Sequence, residues 1–163
     1  MQSRKERIEI GALIAEIVGA IAVVISVIYL AVQIAEGNKE LRSQSHYNAL
    51  SLGQRPFEIE LENAELARII STGYVEPGSL SAEEWYRFEQ YQVMAFNAWE
   101  YYYYEHGKDA IPEQLWIGAN AYYHQNLVTK PGLARFWEEY RHIYAEPFRS
   151  YVEDILASAE PVK

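Results

Sequence analysis

Glu139 and His142 form a Glu-x-x-His pair, three residues apart and so on one face of a helix. In helical bundles, two such pairs joined by two further glutamates hold di-iron or di-manganese centres. The sequence carries one pair, with Glu100, His106 and His124 as the side chains able to supplement it. The expectation is therefore no resident metal or cofactor, with Glu139 and His142 on a solvated face or a helix end. The ligand set, if a site exists, is Glu100, His124, Glu139 and His142.

Glu100 falls four residues after Phe96 and three before Tyr103, on or beside an apolar stripe. A buried carboxylate needs a partner or a proton. Arg135, Arg141, His124 and a tyrosine hydroxyl are the available partners. The pair would either fix helix register or serve a ligand or a proton. The run Tyr101–Tyr104 wraps around a helix, so all four rings cannot face one core. Tyr101, Tyr104, Tyr122 and Tyr123 are a candidate patch for a partner; the competing reading is core tyrosines with satisfied hydroxyls.

Other chemistry lacks its residues. There is no cysteine, which excludes disulfide frameworks, thiolate catalysis and cysteine-based clusters. No GxGxxG, phosphate-binding loop or nucleophile elbow occurs. The formal net charge is −9, and the basic and acidic residues of positions 1–35 cancel. The acidic excess thus lies entirely beyond residue 35 and disfavours nucleic acid. The expectation is a protein that is not an enzyme.

The elements that must position these residues begin with a long apolar run. Ile17 to Ala35, IVGAIAVVISVIYLAVQIA, has no charge, and its polar side chains are Ser26, Tyr29 and Gln33. As a helix it spans roughly 28 Å, close to the hydrocarbon thickness of a bilayer. A strand of that length is rare. A buried helix of a soluble protein and a cleaved signal peptide are the alternatives, but a signal peptide's apolar region is shorter and no clean cleavage site follows. The run is read as a single-pass membrane helix within residues 1–36. The balance of Arg4, Lys5 and Arg7 against Lys39 and Arg42 leans slightly towards the N-terminus inside.

Gly11, Ala15, Gly19 and Ala22 recur at spacings of four and three, with Glu16 beside them. Such a ridge of small residues lets a second membrane helix approach closely, and a carboxylate there would pair across helices. The alternative is that Gly and Ala are simply common in membrane helices and Glu16 marks the headgroup boundary.

Residues 37–62 read as a helical stalk continuing from the membrane helix. Leu41, Ser45, Asn48 and Leu52 lie at helical spacing, and Pro56 is expected to disturb it. Residues 63–163 read as an acidic, aromatic-rich helical domain. Asn63 would cap a short helix through Ile70 that stops at Gly73, and residues 75–79 make a turn. Ser81 and Glu84 form a capping box that opens the longest soluble helix, to His106, with Trp85, Phe88, Gln92, Phe96, Trp99 and Tyr103 on one stripe. Pro112 and Pro147 would each begin a helix, and Lys130-Pro131-Gly132 would separate two others. No strand alternation is present. The fold expected is all-α: a membrane helix, a stalk and a small bundle.

With those parts in place, the chain resembles a family of small bacterial membrane-anchored helical proteins of no established activity. The stretches IGALIAEIVGAIAVVISVIYLAVQIAEGNKELR, ENAELARI, LSAEEWYRFEQY, FNAWEYYYYEHG and PGLARFWEEYRHIYAEPFRSYVEDIL carry the resemblance. It implies anchoring in the inner (cytoplasmic) membrane and no catalytic residues. The function expected is interaction or structure: self-association, or service as an accessory subunit of a larger membrane assembly. The runner-up is a tethered domain that senses a ligand or metal.

Overall fold

A computed structural model describes residues 2–159, with the side chains of residues 2 and 3 excepted. Its order is α1 (Gln2–Glu62), α2 (Ala64–Val75), α3 (Ala82–Gly107), α4 (Glu113–Thr129), α5 (Pro131–Tyr140) and α6 (Phe148–Ser158). Short 3-10 turns fill Pro77–Ser79 and Arg141–Ile143. Among the described residues there is no strand, so the fold is all-α. The chain divides into two compact units, Met1–Leu41 and Arg42–Lys163.

The first unit consists of the first part of α1. Its apolar side chains, Ile17, Val18, Ile21, Val24 and Ile28 among them, are all exposed. Two of the polar side chains in its apolar stretch bond within the helix. Ser26 Oγ donates to the Ala22 carbonyl at 2.8 Å, and Gln33 Nε2 donates to the Tyr29 hydroxyl at 2.8 Å.

In the second unit α3 supplies the central stripe. Trp85, Phe88, Gln92, Phe96 and Trp99 are buried, as their spacing predicts, and Tyr103 is half-buried. The Phe96 ring meets Trp99, Phe136, Trp137 and Tyr144, so one α3 residue joins α5 and the segment before α6. Trp99 stacks on Tyr123 of α4 and meets Phe148 of α6 edge-on. The expected start of α3 is present in full. Ser81 Oγ accepts from the Glu84 amide, and the Glu84 carboxylate accepts from the Ser81 amide at 2.9 Å.

Several boundaries depart from expectation. The helix capped by Asn63, whose Oδ1 accepts from Leu66 N at 3.0 Å, does not stop at Gly73 but runs to Val75. Gly73 serves packing instead: the Phe88 ring lies where its side chain would be. Pro56 does not break α1, which continues to Glu62; lacking an N–H, it cannot bond the Leu52 carbonyl, and it is buried in the second unit. Pro112 and Pro147 are N-caps rather than first helical residues, whereas Pro131 is the first residue of α5.

The segment read as a stalk is helical throughout, and from Arg42 it belongs to the second unit. Leu41, Asn48 and Leu52 are exposed, while Ala49, Gly53 and Pro56 are buried. The reason is that α3 supplies the bulk here. Tyr102 reaches Gly53 so closely that a Cβ there would overlap its hydroxyl. Within this unit α1 and α3 run antiparallel: Glu60 meets Tyr91, Gly53 meets Tyr102 and Ser45 meets Glu105.

Candidate functional site

The side chains considered for a metal do not gather. Glu139 accepts from Trp85 Nε1 at 3.2 Å and from Arg135 Nε at 2.9 Å. His142 is exposed in the 3-10 turn, its ring parallel to Tyr140, and His124 is exposed on α4. Among the described residues no group of three or more His, Asp or Glu side chains is placed to hold a metal ion. Glu100 is half-buried on α3, and none of its expected ionic partners reaches it. Arg135 pairs with Glu139, and Arg141 with Glu153 at 3.4 Å. Burial pushes the Glu100 carboxyl up, and the Ala145 backbone amide partly offsets that.

The carboxylates that are most buried are two that sequence reasoning passed over. Glu89 is 8% exposed and faces Glu139; burial and that second carboxyl hold it above the ordinary range, while Tyr140 and Trp85 pull it down. Glu139 is held low: burial raises it, but Arg135, Glu89 and Trp85, each bonding to the charged form, outweigh that. Glu105 is buried too, and it is lowered because Lys108, at 2.9 Å, and Ser45 outweigh its burial. A signal for Glu89 exists in the sequence. It lies four after Trp85 and three before Gln92, the same spacing that singles out Glu100.

The tyrosines divide. Tyr123 is 8% exposed, stacked on Trp99, and belongs to the core rather than to a partner patch. Tyr122 is 42% exposed and meets Phe57 of α1 edge-on. Tyr101 and Tyr104 are half-buried, and the Tyr104 hydroxyl donates to the Glu146 carbonyl at 3.2 Å. On α1, Gly11, Ala15, Glu16, Gly19 and Ala22 are all exposed, and a Cβ at Gly11 or Gly19 would meet nothing.

A groove of about 600 Å³ lies between one face of α1 and the link from α3 to α4. Arg42, His46 and Leu50 recur at four residues along α1 and form one wall with Ser43 and Tyr47. Asp109 and Ile111 stand on the other, and Asp109 has a positive φ of 53°. The antiparallel course of α3 against α1 explains why its end reaches Arg42. The groove therefore sets a guanidinium and a carboxylate over an apolar floor. The Arg42, His46, Leu50 spacing is visible in the sequence; the opposite wall is not, because nothing local says which turn α1 will meet. No family model, no curated protein and no solved structure matches the chain.

Proposed function

We propose that the chain is a single-pass protein of the bacterial inner membrane whose helical domain has an interaction or structural role rather than a catalytic one. The observation that carries this reading is the chemistry of Ile17–Ala35. Its apolar side chains are exposed, which favours lipid over a soluble core as their surroundings. Ser26, Tyr29 and Gln33 satisfy one another or the backbone inside the helix, as a hydrocarbon surrounding demands. The helix passes without interruption beyond Ala35.

Self-association, or docking on other membrane subunits, would use Gly11, Ala15, Gly19 and Ala22, with Glu16 paired across helices. Alkaline carbonate extraction tests the anchor: protein released to the supernatant overturns it. Ala15→Leu and Gly19→Leu test the ridge, because a closing interface should yield a smaller species in mild detergent by light scattering. Unchanged mass overturns that part. A single cysteine at Gly78, where a Cβ meets nothing, reports the side of the membrane by labelling from outside. An inside N-terminus requires that this cysteine be labelled.

A further inference from the structure

We propose that the groove between α1 and the α3–α4 link binds the headgroup of a phospholipid carrying a primary ammonium, phosphatidylethanolamine, with Arg42 taking the phosphate and Asp109 the ammonium. This site rests on the membrane-anchored reading.

Charge selects the ligand. Neither Arg42 nor Asp109 forms an ion pair among the described residues. Their charges are opposite and line one groove. A lone anion there would sit with Asp109 opposing it, and a lone cation with Arg42 opposing it. A headgroup that carries a phosphate and an ammonium two carbons apart answers both. Guanidinium suits a phosphate because its planar fork donates two parallel hydrogen bonds. His46, one turn further along α1, and the Ser43 hydroxyl add polar groups on the same wall. Leu50 and Ile111 provide an apolar floor for the carbons between the charges. A primary ammonium donates hydrogen bonds to a carboxylate, as a lysine does, whereas a quaternary choline cannot.

Chain length supplies the second support. Arg42 follows Ala35 by seven residues. In any conformation that tether holds Arg42, at one end of the groove, within about 25 Å of the end of the apolar stretch. The headgroups of the same bilayer are therefore present at a high effective concentration, which even a weak site would exploit.

The test uses the full chain purified in mild detergent. Native mass spectrometry follows lipid adducts as phosphatidylethanolamine, phosphatidylcholine or phosphatidylglycerol is added. The wild type should retain one phosphatidylethanolamine at about tenfold lower lipid concentration than either other lipid, the scale of one charge-assisted hydrogen bond. Arg42→Gln should weaken binding of phosphatidylethanolamine and phosphatidylglycerol alike. Asp109→Asn should weaken phosphatidylethanolamine alone. Asparagine tolerates the left-handed backbone of that position, so the variant removes the charge without adding strain. No preference in the wild type, or a preference that survives in both variants, overturns the proposal. Carbonate extraction of the same preparations separates the two readings. Protein that stays with the membrane but shows no lipid preference overturns the headgroup site alone; protein released by carbonate overturns the anchor.

Discussion

The carbonyl oxygen of Gly73 occupies the space that a side chain at Gly132 would need. Gly73 lies inside α2 and Gly132 is the second residue of α5, so the two helices meet backbone to backbone with the Phe88 ring over both. An added methyl at 132 has no flexible neighbour to displace. Gly132→Ala should therefore destabilise the domain by about 2–3 kcal/mol, the range of a forced overpacking. Gly118→Ala is the control, because a Cβ there meets nothing and alanine is the better helix former by about 0.5–1 kcal/mol. Tryptophan fluorescence during denaturant unfolding reads the domain specifically, since all 4 tryptophans lie beyond Arg42. Equal stability of the two variants would refute the close crossing.

Glu89 and Glu139 bring two carboxyls together between α3 and α5, with Arg135 bonded to Glu139 and stacked 3.9 Å over the Trp85 ring. The folded state raises Glu89, first by burial and then by the second carboxyl. A raised group contributes stability that is complete below the unfolded value of about 4.5 and is lost as pH rises through the folded one. Glu89→Gln keeps a donor towards Glu139 and removes the proton to be lost. The variant should be more stable than wild type at neutral pH, and the difference should close as pH falls below about 4.5. A variant that is less stable at neutral pH would show that Glu89 is charged there and usefully paired.

At the start of α3 the sign is opposite. Arg68 and the Ser81 cap hold Glu84 down to about 2. Stability from this group is present above an unfolded value of 4.5 and fades as pH falls towards about 2. Glu84→Gln should flatten the acid limb of the stability curve. Ser81→Ala should cost about 1 kcal/mol at neutral pH by removing the acceptor for the Glu84 amide. Thermal unfolding of both variants across the acid range checks the pair; an unchanged acid limb in Glu84→Gln would refute it.

These relationships differ in how far the sequence announces them. The Ser81 cap, the Asn63 cap and the α3 stripe are local: residues a few positions apart decide them, and they stand where the pattern predicts. The apolar stretch is equally local. The face that α1 turns to the domain is not, because the residues buried there, Ala49 and Gly53 among them, carry no apolar bulk to mark it. Contact is decided instead by what α3 offers: Tyr102 needs Gly53 opposite it. Gly73 looks like a helix stop for the same reason, since only Phe88 and Gly132 give it another purpose. The groove joins residues 42–50 to 109–112, and no short-range pattern encodes that pairing.

The seam between α1 and α3 holds a buried hydrogen bond. Tyr91, 4% exposed, donates its hydroxyl to the Glu60 carboxylate at 2.9 Å. Burial, with the Tyr74 phenol and Glu60 nearby, raises the Tyr91 phenol. Tyr91→Phe removes the donor and leaves Glu60 half-buried. Glu60→Gln replaces a charged acceptor with a neutral one. Each should cost about 1.5–3 kcal/mol, the range for hydrogen bonds to charged groups. If the two act through the same bond, the double variant should lose clearly less than the two single losses combined. The loss should also be local: amides of residues 42–62 should exchange faster in Tyr91→Phe, while those of α5 and α6 keep their protection. Additive losses, or exchange that rises evenly over the domain, would mean that this hydrogen bond does not hold α1 to α3.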